Sequence, residues 1–572
     1  TDNLIYAVSV KVFSCIIHGI EGKLVEVEAD ILAGMPRFTI VGLGDTAVQE
    51  AKERIRSAIK NSKIKYPQQK KIINLAPASL KKQGPQFDLP MAVSLIAASG
   101  QIQADKLKNA LLIGELALDG SLRPVKGVLT IALFAKKNNW QKIIIPAANS
   151  SEAALVKGLE IIPVSCLEEL IEYVRGTGNK PCSSNVIASP PEADEVAKPL
   201  RGAQATWQPG PQSQTVSFAT ARTASDAAAR PVVPNSTIFP GGLQATSHES
   251  VDFADIQGQL QGKRALEISA SGGHNLLLYG PPGVGKTLLA HALPGIMPQL
   301  SSKEIFEVMQ IYSCAGLLEE ERIYNFTRPF RQMHHSGSLV ALIGGGSNIH
   351  PGEISLAHNG VLFLDEIAEF PQSHLEALRQ PLEEKLIYIS RSQGTVKYPA
   401  DFTLVAAMNP CPCGFFGDPQ KQCVCNNSQI IKYHKKMSGP IMDRFDLHIA
   451  LPRQAMQVMQ HMENEKSKKV KKRVDEANKI QLERFTGSDV KNNGGMNLAD
   501  IKKYCFLNKE AKQFILDANR KFLLSSRGYH GILKVSRTIA DLNCHNDIAI
   551  EDIAEALQYR SQNRTFTSAR GQ

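Results

Sequence analysis

Over the first 175 residues, two patterns of apolar and polar positions take turns. In KLVEVEADI (23–31) and KKIINLAP (70–77) apolar side chains recur about every second position, which reads as strands. In DTAVQEAKERIRSAIKNS (45–62) they recur every three to four, which reads as a helix with Asp45 as its N-cap. The alternation predicts a compact α/β domain over residues 1–175. From 176 to 250 the pattern disappears. SPPEADEVAKPLRGAQATWQPGPQ (189–212) is typical of this stretch, rich in Pro, Ala and polar residues with no apolar period, and predicts a flexible linker. Continuous apolar runs then return. NLLLYG (275–280), GVLFLD (360–365) and FTLVAAMN (402–409) predict buried strands of a second α/β domain over 251–452. Beyond 453 the pattern is helical to residue 572, with one or two long helices predicted over 454–485.

Length and composition agree with this division. The chain has 572 residues, 43% hydrophobic and 21% charged, which suits two to four globular domains rather than one. No apolar run approaches the roughly 18 residues that cross a bilayer. The opening TDNLIYAVSV lacks the regions of a signal peptide. The expectation is therefore a cytoplasmic protein with no membrane partner and reduced thiols. The net charge of +10 permits a polyanionic partner without requiring one.

The strongest chemical signal is GPPGVGKT. Gly280, Pro281, Pro282, Gly283, Val284, Gly285, Lys286 and Thr287, followed by Leu288, lie between a predicted strand and a predicted helix. That is the context of a phosphate-binding loop. Its glycines let backbone N–H groups face phosphate oxygens, Lys286 reaches the β- and γ-phosphates of ATP, and the Thr287 hydroxyl binds Mg²⁺. GVLFLDEIAEF adds a buried strand ending in Asp365, a second Mg²⁺ ligand, and Glu366, a base for the attacking water. Asn409 ends a third buried strand, where its amide can orient that water or the γ-phosphate. Arg444 and Arg537 are candidates for stabilising transition-state charge.

Four of the ten cysteines, Cys411, Cys413, Cys423 and Cys425, fall just behind Asn409 as two C-x-C pairs nine residues apart. Thiolates suit tetrahedral Zn²⁺, although the spacing within each pair is tighter than usual. An iron–sulfur cluster, a redox switch and inert buried thiols are the other chemistries open to them. The basic run KSKKVKKR (466–473) suits either DNA or the solvated face of a helix.

Together these motifs resemble the AAA+ ATPases of the magnesium-chelatase-like branch. HHSGSLVALIGGGSNIHPGEISLAHNGVLFLDEIAEF, AMNPCPCG, SGPIMDRFDLH and SSRGYHGILKVSRTIADL resemble the bacterial ComM/YifB family, competence-associated branch-migration helicases, over nearly the whole chain except the linker. The resemblance implies a P-loop α/β core with a C-terminal helical lid. It also implies a homo-hexamer acting on single-stranded, duplex and branched DNA. Asn409 then matches sensor 1, Arg444 an arginine finger acting on the neighbouring subunit, and Arg537 the sensor-2 arginine.

KLIYISRSQGTVKYPAD (385–401) reads as a β-hairpin around Ser-Gln-Gly. In related ring helicases such a hairpin faces the pore, which implies DNA contacts from Lys385, Arg391 and Lys397. An ordinary hairpin with solvated basic residues is the alternative. The first domain resembles a Lon-protease-like α/β fold, through KKQGPQFDLPMAVSLIAASG and GELALDGSLRPVKGVLTIALFAKKNNWQKIIIPAAN. Gln86 stands at the serine position and Leu129 at the lysine position, so no peptidase activity is expected.

Overall fold

The computed structural model describes residues 10–177, 251–319, 326–346, 349–391, 394–437, 439–454, 464–522 and 524–560. Most of the predicted linker, part of the predicted helical stretch after Gln454 and the C-terminal NRTFTSARGQ lie outside them.

The N-terminal region is built on a seven-stranded mixed sheet. Its strands are β1 (Val10–His18), β2 (Glu21–Leu32), β3 (Phe38–Val41), β4 (Lys70–Ala76), β5 (Ala110–Leu112), β6 (Lys142–Pro146) and β7 (Glu160–Val164), in the order β3-β4-β2-β1-β5-β6-β7. The first long pair is antiparallel, from Val10 opposite Ala29 to His18 opposite Glu21. Alternation decides which face is inside: Val25, Val27 and Ala29 are buried, while Glu26 and Glu28 meet Lys11 on the other side. Helix α1 (Thr46–Asn61) starts where Asp45 predicts, with the Asp45 carboxylate accepting the Val48 N–H at 3.0 Å. Helix α2 (Asp88–Ala98) is apolar nearly all round and is buried accordingly. Its first residue, Asp88, is also fully buried and is held by two hydrogen bonds from Arg54, at 2.7 and 3.1 Å.

The second region has a five-stranded parallel sheet in the order β9-β10-β13-β8-β14. These are β8 (Leu276–Tyr279), β9 (Phe330–Met333), β10 (Val361–Leu364), β13 (Thr403–Met408) and β14 (Leu447–Ala450), with the hairpin β11 (Leu386–Arg391) and β12 (Gly394–Pro399) inserted before β13. Every residue of β10 and β13 is buried, because helices cover both faces. Helices α4 (Leu260–Gly272), α5 (Lys286–Ile296) and α6 (Ser302–Ala315) belong to this region. The C-terminal helices α7 (Ser467–Arg484), α8 (Lys509–Phe522), α9 (Ser526–Leu542) and α10 (Ile550–Gln558) continue one of its apolar cores: Val470, Ile515, Ile539 and Ile553 share a cluster with Leu276, Leu278 and Leu447. Thus helix packing, not a separate core, holds the C-terminal region in place.

The N-terminal region docks on α6. Ser313 donates to the buried Glu152 carboxylate, Gln310 donates to the Ile20 carbonyl, and Thr130 lies 3.1 Å from the Cys314 sulfur. The contact also passes the Lon-like positions. Leu129, a buried core residue on α3 (Val128–Lys137), donates its N–H to the same Glu152. Gln86 sits on a short turn whose carbonyl accepts from Gly114.

Candidate nucleotide-binding site

After Tyr279 the chain turns through Gly280–Gly285 into α5. Gly280 must come close to β14, since a Cβ there would lie 2.4 Å from the Leu451 carbonyl oxygen. Gly283 and Gly285 have φ of +80° and +89°, and a Cβ on either would meet nothing within 4 Å. The loop therefore curls by means only glycine takes up readily, and its outer side is open. Gly285 caps α5 without a side chain, so the first-turn N–H groups are left for an anion. A cavity of about 470 Å³ lies here, lined by Val251 and by Gly283, Gly285, Lys286, Thr287, Leu288 and His291. Its size, and the loop N–H groups and Lys286 at its edge, fit a nucleotide phosphate chain.

Three strand ends bring the other groups to this loop. Lys286 Nζ donates to Asn409 Oδ1 at 2.9 Å and to the Gly280 and Pro281 carbonyls at 2.6 and 3.0 Å. Burial holds the Lys286 amine down to about 8, against the pull of Asp365 and Glu366. A phosphate would supply the charge that burial withholds. The Thr287 hydroxyl meets Asp365 Oδ2 at 3.3 Å. Two hard oxygens side by side suit Mg²⁺. Glu366 follows with φ +52°, a left-handed backbone uncommon outside glycine, and its carboxylate Oε2 lies 3.4 Å from His335 Nδ1. His335 stands two residues past the end of β9, next to β10 in the sheet. It was not singled out from sequence; only the HH pair just after a strand could have drawn attention to it.

The two candidate arginines are occupied within the subunit. Arg444 donates to Glu383 Oε1 at 2.6 Å and to the Pro440 carbonyl, while its buried Nε has no partner. Glu383 is shared with Arg527. Arg537 is buried in the C-terminal helices, donating to Asp541 at 3.1 Å, Asn546 O at 2.8 Å and His545 O at 2.6 Å. Its guanidinium thus ties α9 to the segment before α10, and neither arginine is in contact with Lys286.

The predicted hairpin forms with Arg391 opposite Gly394. Ile387, Ile389, Val396 and Tyr398 face inward, leaving Lys397 exposed beside Tyr388, its cross-strand partner. Tyr388 is a further candidate the motifs did not show, though the strand's period of two places it outward. Lys385 is at the hairpin's foot, in a left-handed conformation with φ +56° and paired with Asp401 at 3.2 Å. In the basic run, Val470 is buried and Arg473 is held by Glu267 and Glu465.

The four cysteines converge. Cys411 Sγ lies 3.3 Å from Cys413 Sγ and 3.6 Å from Cys423 Sγ, those two are 3.5 Å apart, and Cys425 completes a group within 4.8 Å. Tetrahedral zinc–thiolate bonds of about 2.3 Å require sulfurs about 3.8 Å apart. The cluster fits that with a small expansion. Burial raises the Cys413 thiol, but the N–H groups of Phe415 and Val424 and the neighbouring sulfurs outweigh it and bring it down to about 6.

Comparison with known proteins agrees with this geometry. The model described as "Magnesium chelatase, subunit ChlI" matches residues 252–459, that of "Subunit ChlI of Mg-chelatase" matches 27–149, and the ChlI C-terminal model matches 464–560. Competence protein ComM of Haemophilus influenzae is 38% identical over 97% of both chains. The uncharacterized protein YifB of Escherichia coli is 38% identical over 96% of both. A Lon protease of Azospirillum brasilense is 28% identical over 31% of this chain. With its parallel P-loop sheet and 38% identity to ComM and YifB over nearly its whole length, the chain belongs to the ComM/YifB family of magnesium-chelatase-like AAA+ ATPases.

Proposed function

We propose that this protein is the subunit of a homo-hexameric, cytoplasmic DNA translocase that uses ATP to move the branch points of recombination intermediates during natural transformation. The observation that supports the reading is that Lys286 meets Asn409 and Thr287 meets Asp365 on the phosphate loop, with a hairpin bearing an exposed Tyr388–Lys397 pair inserted between the strands that end in Asp365 and Asn409. Phosphates bind on the glycine loop and Lys286. Thr287 and Asp365 hold Mg²⁺, which neutralises phosphate charge when bound. Glu366 takes the proton of the attacking water, and Asn409 fixes its line of approach.

For Arg444 to act on the nucleotide of the next subunit, its buried guanidinium must release Glu383 and the Pro440 carbonyl on assembly. For Arg537 to act as sensor 2, it must exchange its bonds to Asp541, His545 and Asn546 for phosphate on assembly. Lys397, Arg391 and Tyr388 meet DNA through phosphate contact and stacking, which gives salt-sensitive binding with little sequence preference. Lys385 joins them only if it releases Asp401. The four cysteines hold Zn²⁺. The N-terminal region serves as a scaffold rather than a peptidase.

The test is steady-state ATP hydrolysis without DNA and with single strands, duplex and a four-way junction, using Glu366→Gln as control. Stimulation by DNA, absent from the control, together with movement of the junction, supports the translocase. Hydrolysis indifferent to every DNA rejects it in favour of a second reading, a chelatase-type ATPase that remodels a protein partner. The match to models described as magnesium chelatase subunits favours its chelatase-type part.

A further inference from the structure

The segment that carries the cysteines leans on the phosphate loop. Gly414 has φ +86°, and a Cβ there would lie 2.7 and 2.8 Å from the Pro282 ring. At its start, Asn409 holds the Lys286 amine, and the Met408 carbonyl accepts the Gly280 N–H at 3.2 Å. Further along, Asp418 is paired at 3.1 Å with Arg453, two residues past the Leu451 carbonyl that closes against Gly280. The cysteine segment and the strand end before it therefore touch the first half of the loop, at Gly280 and Pro282, and the lysine that follows it.

It does so with little to hold it in shape. Between Met408 and Asn427 there is no helix or strand, and Val424 is 84% exposed and Phe416 41% exposed. Apart from the Asp418 side chain in its ion pair, only Pro410, Cys411 and Gly414 of the segment are buried. What converges instead is sulfur, from both of its ends. A cross-link there fixes some fifteen residues that otherwise lose conformational entropy for few contacts.

We infer that a thiophilic divalent ion, Zn²⁺ in the reading above on which this rests, braces the nucleotide pocket. Bound by Cys411, Cys413, Cys423 and Cys425, it keeps Gly414 against Pro282 and Asn409 at Lys286, so that nucleotide affinity depends on a metal that touches no nucleotide atom. This role differs from a metal that merely stabilises the fold, because one of the two contacts it holds, Gly414 against Pro282, can be changed without touching a ligand.

The experiment measures metal content and ADP affinity on the same full-length protein. Zinc is counted per chain, and binding of a fluorescent ADP is followed by anisotropy. The parent should hold one zinc per chain. Removal by a chelator or by Cys425→Ser should weaken ADP binding about tenfold or more, and added Zn²⁺ should restore it in the stripped parent. Gly414→Ala should keep one zinc per chain, keep its circular dichroism spectrum and still bind ADP several-fold more weakly, because its Cβ pushes Pro282 away. Protein that holds no metal and binds ADP tightly would overturn the zinc reading itself. One zinc per chain with ADP affinity unchanged in Gly414→Ala would leave the zinc site standing and overturn the brace.

Discussion

His335 Nδ1 lies 3.4 Å from Glu366 Oε2, and the pair joins the ends of two neighbouring parallel strands. The Glu366 backbone is left-handed at φ +52°, so its side chain leaves the strand at an angle that an extended residue would not give. The Glu366 carboxylate, proposed above as the base, is thus aimed by its backbone and lies beside an imidazole whose Nδ1 makes no hydrogen bond of its own. Glu366→Gln should lower kcat by about 100-fold or more while leaving ATP binding intact, since an amide accepts no proton. His335→Ala should lower kcat by only about 3- to 10-fold with little change in KM, as expected when a base loses orientation rather than identity. Steady-state kinetics with both variants checks this. An unchanged kcat in His335→Ala removes the histidine from the site.

In the N-terminal region, burial pushes Asp88 up to about 6, against the pull of Arg54. The folded value lies above the unfolded one, so the folded state binds this proton more tightly. Its contribution to stability is therefore full below about pH 4 and is lost as pH rises through 6. Arg54→Met strands the carboxylate. The variant should be about 3 kcal/mol less stable than the parent at pH 8 and much closer to it at pH 5, where Asp88 is protonated in both. Urea unfolding at the two pH values measures the difference. A deficit equal at both would mean that Arg54 acts through packing of its stem alone.

What could be read in the chain depended on whether the signal was local. β8, β10 and β13 stood out as continuous apolar runs because both faces of a parallel sheet are covered, and each ran straight into its polar motif. Asp45 and the hairpin turn were equally local. His335 was missed because its neighbour is 31 positions away and meets it only through strand order. Lys385 was grouped with the hairpin's basic residues, yet one left-handed residue at the hairpin's foot turns it toward Asp401. The orientation of Arg537 is by contrast set locally, by Asp541 four residues on in the same helix and by two carbonyls just beyond the helix end.

The contact between the two α/β regions turns on Glu152, which accepts from Ser313 at 2.5 Å, from Leu129 N at 2.9 Å and from Asn149 at 3.3 Å. Burial raises its carboxyl, offset in part by these donors. Ser313→Ala removes one donor from a group that keeps two, and should cost only about 1 kcal/mol. Glu152→Ala leaves a buried N–H and a hydroxyl without their acceptor and should cost about 2–4 kcal/mol. Glu152→Gln, which still accepts and avoids a buried charge, should fall nearer Ser313→Ala. Thermal unfolding ranks the three. Glu152→Ala as stable as the parent would show that the carboxylate contributes nothing to the docking.

Arg444 offers a test of assembly that needs no image of the ring. Within one subunit its guanidinium is committed to Glu383 and Pro440 O, away from Lys286. If it completes the neighbour's site, an Arg444→Ala subunit has an intact pocket but donates no arginine, and a Glu366→Gln subunit donates the arginine but cannot hydrolyse. Each alone should be nearly inactive. Mixed in equal amounts and allowed to exchange, one interface in four pairs an Arg444→Ala pocket with a Glu366→Gln arginine, so activity should recover toward about a quarter of the parent's. Recovery requires the two residues to act across a subunit boundary. Mixtures that remain as inactive as their components, under conditions where labelled subunits demonstrably exchange, would assign Arg444 to its own subunit, where Glu383 already holds it.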